Sequence, residues 1–272
     1  MKRVILLILM LSMTLWATSD AKKVRYMESV KDIIVAAQKT RGGTYNFLNG
    51  SEFAQFGVYE QRTKMKQAFK ALNRQFKVVG GGIDSEFDKL YKQIKSLNKL
   101  AFELDPLTSF KAYSMLINKM IVLGNKVQVK LYGKADAFEQ QVSKVMMSDI
   151  LRVTEGLGKL RGLGSGIAAR TEIEEEEVDY LKVYIAEIKL NLNKMILNMA
   201  RIDKKTPGKY PGTLTKELQK YKGSVEFYIS FAEDNLLESD PITIDSNKYF
   251  KRGTELISEA LDFYEMNAAL LK

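Results

Sequence analysis

The sequence predicts an all-α protein of about eight helices in two stacked four-helix bundles, behind a secretory leader. Three observations predict it. Only four prolines occur in 272 residues, none of them between 107 and 206, and long proline-free stretches rich in Leu, Lys, Glu, Ala and Met favour long helices. Apolar residues step by alternating three and four, as in Leu181, Ile185, Ile188, Leu192, Met195 and Met199 or Leu214, Leu218, Tyr221, Val225 and Tyr228; each series traces one face of a packed helix. No segment keeps a period of two, so no sheet is expected.

From the N-terminus, Lys2 and Arg3 precede an apolar run from Val4 to Trp16, broken only by Ser12 and Thr14, and then the small and polar Ala17, Thr18, Ser19, Asp20 and Ala21. This is the pattern of a signal peptide over 1–21, cleaved somewhere within 17–21. The run falls short of the roughly 20 residues a membrane span needs, although an uncleaved anchor is the alternative. An exported, periplasmic protein is expected.

Eight helices are placed at 24–49, 52–78, 84–104, 108–131, 135–169, 173–203, 213–237 and 246–271. Gly50-Ser51, Gly80-Gly81-Gly82, Asp105-Pro106, Tyr132-Gly133, Arg170-Thr171, the Pro207–Gly212 loop and Ser239-Asp240-Pro241 separate them. Thr171 with Glu174 has the spacing of a capping box. The acidic run that follows suits the positive end of a helix dipole and reads as a solvated first turn rather than a metal site. A boundary near Gly133 divides the chain into bundles at 22–133 and 134–272.

Composition narrows function sharply. The chain has no Cys and no His. That excludes disulfides, thiolate nucleophiles, Cys-based metal centres and every His-dependent relay. No phosphate-binding or dinucleotide fingerprint occurs, so the chain is read as a non-enzyme with no cofactor and no metal.

One short element occurs twice. Thr40-Arg41-Gly42-Gly43-Thr44 and Leu160-Arg161-Gly162-Leu163-Gly164 place their arginines 120 residues apart, about one bundle's length. Phase makes both arginines notable. The apolar face Met27, Val30, Ile34, Ala37 steps next onto Arg41, and Met147, Ile150, Thr154, Leu157 steps next onto Arg161. A cation on a buried seam is costly unless paired. Either a carboxylate of the same bundle pairs each guanidinium or the side chain snorkels to the surface, or an external anion supplies the charge, since a guanidinium's parallel donors match a planar oxyanion. Gly42, Gly43, Gly162 and Gly164 are expected to pack helices closely around the site. Arg62 and Lys182, each 21 residues beyond an element arginine, are weaker ligand candidates.

The stretch Leu157-Gly158-Lys159-Leu160-Arg161-Gly162-Leu163-Gly164-Ser165-Gly166 resembles the second arginine element of the nitrate- and nitrite-sensing, or NIT, domain family. Asp240-Pro241-Ile242 and Tyr249-Phe250-Lys251-Arg252-Gly253-Thr254 are similar to that family's closing helix. The first element departs from the family's Glu-Arg-Gly-Leu, with Thr40 in place of the acid and Gly43 in place of the Leu. The resemblance implies paired four-helix bundles, nitrate or nitrite as ligand, and Arg41 and Arg161 as binding residues. Such domains pass a signal to an output module, so a stand-alone chain would signal through a separate signalling or membrane protein. A homo-oligomer is left open.

Two rivals remain. A structural or protein-interaction bundle with no small ligand would pair its arginines internally. The net charge of +9 and a basic stripe of Lys66, Lys70, Arg74 and Lys77 admit nucleic acid, but a solvated helix face accounts for the stripe and export argues against that partner, so none is expected.

Overall fold

The computed structural model describes residues 2–79 and 83–272, with side chains described over 20–75, at 83 and over 85–272. The predicted break at Gly80-Gly81-Gly82 lies outside the described residues. The first set of helices is α1 (Lys2–Leu48), α2 (Ala54–Val79), α3 (Asp84–Leu100) and α4 (Pro106–Tyr132). The second set is α5 (Ala137–Lys144), α6 (Leu151–Arg170), α7 (Glu175–Lys205), α8 (Leu214–Ala232) and α9 (Ser246–Ala269). A π-helical turn at Val145–Ile150 joins α5 and α6 into one rod, and another at Glu233–Leu237 extends α8. The described residues therefore form eight continuous rods and contain no strand, as the periodicity predicts. Helix α1 runs on through the predicted leader. No helix among the described residues is long and apolar enough to cross a membrane.

Local chemistry sets the ends. Pro106 opens α4 where its missing N–H costs nothing, and the Asp105 carboxylate accepts from the Thr108 amide at 2.9 Å. Asp136 and Asp245 cap α5 and α9 in the same way. The predicted capping box is displaced by three residues. Glu174 is the N-cap of α7 and Glu177 its reciprocal partner, while Thr171 closes α6 in the left-handed region at φ 62°. The acidic turn is also not wholly solvated. Glu177 is buried, accepts from the Tyr45 hydroxyl, and pairs with Arg170 at 2.5 Å. This cluster ties the C-terminal ends of α1 and α6 to the start of α7, and its burial raises the Tyr45 pKa.

Helix α6 is the interior rod. Its residues are buried from Leu160 through Ala168 without interruption, the signature of a helix enclosed on all sides. It packs against α1, α7 and α9. The two sets thus meet where α1 lies along α6. The seam residues Met27, Val30, Ile34, Ala37, Met147, Ile150 and Leu157 are all fully buried, and each large aliphatic side chain there contributes roughly 1.5–3 kcal/mol of transfer free energy. Tyr221, Tyr228, Met195 and Met199 lie in the same core.

Candidate functional site

Helices α1 and α6 cross at the two arginine–glycine elements. A Cβ added to Gly162 would sit 3.3 Å from the Gly42 Cα and 3.0 Å from the Phe110 ring. Only a residue without a side chain allows backbones to approach this closely. The approach places Arg41 and Arg161 side by side in the interface, 0% and 1% exposed. Each guanidinium tip lies against a glycine of the opposing helix. The Arg41 Nη2 is 3.2 Å from where Gly158 would carry a Cβ, and the Arg161 Nη2 is 3.7 Å from the equivalent point on Gly42.

Two matching cages hold these side chains. Arg41 lies over the Phe110 ring, with Cζ 4.9 Å from its centroid, and its Nη1 donates to the Ser114 Oγ at 3.0 Å. Arg161 lies over the Phe250 ring at 4.5 Å, and its Nη1 donates to the Thr254 Oγ1 at 3.0 Å. In both, the hydroxyl spends its own proton on the carbonyl four residues back, Ser114 on Phe110 and Thr254 on Phe250. The hydroxyl oxygen then faces the guanidinium as an acceptor. The cages differ in one respect. Arg41 Nη1 also donates to Glu155 Oε1 at 2.5 Å, and the second oxygen of Glu155 accepts from Gln38 Nε2 at 3.1 Å.

Neither alternative left open by the sequence describes Arg41, because the carboxylate that pairs it, Glu155, comes from the second set of helices rather than its own, while no carboxylate among the described residues pairs Arg161. The reason is geometric. Glu155 lies six positions before Arg161 on α6, on a face that the crossing turns toward α1. Together the two arginines and Glu155 carry a net charge of +1. The Nε and Nη2 of both arginines are buried with no hydrogen-bond partner among the described residues, although buried charged donors are costly to leave unpaired. Burial, with the neighbouring Arg41 charge adding to it, pushes the Arg161 pKa down to about 10. It remains a cation at neutral pH.

Other candidates divide. Gly42 and Gly162 form the crossing. Gly43 instead seats α1 on α2, where a Cβ would meet Val58 at 2.8 Å, and Gly164 receives the Tyr249 ring of α9. Arg62 belongs to a neighbouring cluster in which it lies over Phe102 and Tyr59 and donates to the Tyr113 hydroxyl at 3.4 Å. Lys182 is exposed on α7, one residue past the buried Leu181, and is not brought to the crossing. Lys66, Lys70 and Arg74 are exposed on α2, while the Lys77 side chain lies outside the described residues. Sequence reasoning missed Glu155, Gln38, Phe110 and Ser114, and gave Phe250 and Thr254 no role. A recurring Phe-x-x-x-Ser/Thr on α4 and α9 was the available signal. Among the described residues, no group of three or more acidic side chains could hold a metal ion.

These features define an all-helical, paired-bundle protein with a cationic centre at the bundle interface. Among solved structures it is similar to that of the NasR transcription antiterminator, with a TM-score of 0.71 and 10% identity over 95% of this chain and 70% of that one. That likeness establishes the shared fold. No family model and no curated protein matches the sequence.

Proposed function

We propose that this chain is an anion-binding sensor, acting outside the cytoplasm, that takes a planar monovalent oxyanion such as nitrate or nitrite between Arg41 and Arg161. One observation carries the reading: among the described residues Arg161 is fully buried without a carboxylate, its Nε and Nη2 unpartnered beside the equally unpartnered Nε and Nη2 of Arg41. The net charge of +1 favours one monoanion, whereas a dianion would leave the buried centre negative. The fold likeness to an antiterminator and the resemblance of the arginine elements to nitrate and nitrite sensors support a regulatory role. Binding stabilises whichever α1–α6 packing best presents both guanidiniums, and a separate signalling protein reads that state.

Calorimetry and thermal melts with nitrate, nitrite, chloride, acetate and sulfate test this. We expect saturable heat and a raised Tm with nitrate or nitrite, little with sulfate, and loss of both in Arg161→Ala. The Arg41–Glu155 pair favours a second reading, a structural bundle without a ligand. Under that reading no anion gives saturable heat at millimolar concentration.

A further inference from the structure

We propose that α7 carries an unoccupied coiled-coil seam, and that a second copy of this chain docks on it antiparallel. This does not depend on the anion reading. The inward face of α7 is a complete core face, with Leu181, Ile188, Leu192, Met195 and Met199 at most 2% exposed. The opposite face should then be polar, and it is not. Val183, Leu190 and Leu197 are 52, 70 and 63% exposed. They recur every seven residues, and the exposed Ala186, Asn193 and Ala200 stand between them. Single exposed apolar residues need no explanation. This series keeps the three-and-four spacing of a coiled-coil stripe from Val183 to Ala200. Helix α4 exposes Met115, Val122 and Val129 at the same spacing, but both positions between them are asparagines, Asn118 and Asn125, whereas α7 has one, Asn193, with Ala186 and Ala200, so α7 is the more apolar of the two.

Self-complementarity selects the occupant. In antiparallel register Val183 meets the second copy's Ala200, Ala186 its Leu197, and Leu190 its Asn193. Every layer then sets a large side chain against a smaller one. A parallel pair would set Leu on Leu and Ala on Ala, alternately crowding and emptying the seam. The flanking charges agree. Antiparallel packing brings Lys182 beside the second copy's Asp203 and Glu187 beside its Lys194, whereas parallel packing brings Lys182 beside Glu187 but opposes Lys189 with Lys194. Glu187 already meets Lys159 at 3.0 Å and Lys194 meets the buried Asp149 at 3.1 Å, yet their side chains remain 44 and 47% exposed, so both are accessible to a second copy. The contact is two-fold and closes on itself, giving a dimer rather than a fibre.

Sedimentation equilibrium of the full chain should give twice the chain mass near ~100 µM and one chain mass on dilution. Leu190→Glu with Leu197→Glu should raise the dissociation constant by about a hundredfold or more at unchanged helix content. A second readout uses the absence of cysteine in the natural sequence. Ala186→Cys and Leu197→Cys chains, mixed and oxidised, should cross-link to each other far more than either does to itself. A monomer at every concentration overturns the proposal and leaves the seam to a different protein. A dimer indifferent to the double Leu substitution, or cross-linking within each variant alone, overturns it as well.

Discussion

The Arg41 and Arg161 cages use the same parts: a glycine from the opposing helix, a phenylalanine ring and a hydroxyl already committed to its own helix. They differ by one carboxylate, since Glu155 meets Arg41 and none among the described residues meets Arg161. One internal counter-ion serves two cations. A buried ion pair left intact is close to neutral in stability, but one missing a partner is strongly unfavourable. The difference therefore separates a structural arginine from one whose charge stays uncompensated. If the centre binds an anion, Arg161 is the side on which it is needed.

The largest effect should come from breaking the pair. Arg41→Ala strands Glu155 in the interface and should cost about 3–5 kcal/mol in urea melts. Arg161→Ala should cost less, at most about 2 kcal/mol, because losing an uncompensated charge offsets part of the cavity it leaves. Equal losses would abolish the distinction between the two cages.

The glycines at the crossing sharpen it next. Gly162→Ala drives a Cβ against Phe110 at 3.0 Å and the Gly42 backbone at 3.3 Å, and should cost about 1–3 kcal/mol. Gly42→Ala meets nothing closer than 3.7 Å, and should be neutral or gain up to about 1 kcal/mol of helix propensity. Thermal melts of the two variants check both signs.

Glu155→Gln removes the internal competitor and leaves two cations facing a bound anion. Calorimetry should then show nitrate affinity raised about tenfold. An unchanged or weaker affinity would mean that Glu155 orients Arg41 for the ligand rather than competing with it. The smallest effect is that of pH within the physiological range. With no histidine in the chain and the Arg161 pKa at about 10, anion affinity should stay level from pH 6 to 8. The protonated guanidinium is the form that binds, so affinity falls as pH rises through about 10, by roughly tenfold per unit beyond it.

Much of this protein was legible one helix at a time. The rods, the proline at the start of α4 and the placement of both arginines on buried seams follow from a period of 3.6 residues and from capping chemistry, which are local in sequence. Helix phase could say that Arg41 and Arg161 point inward. It could not say what each would find there. Lys182 shares the offset of Arg62 from its element arginine, yet one turns outward and the other lies over aromatic rings, because offset along a chain does not fix the rotation of a later helix. The capping box slipped by three residues because Thr171 and Glu174 both satisfy the local pattern, and the burial of Glu177 against Tyr45 and Arg170 chose between them. Glu155, Phe110, Ser114, Phe250 and Thr254 each meet an arginine across a long stretch of chain, so only the crossing of α1 on α6 could decide that, among the described residues, one guanidinium has a carboxylate and the other has none.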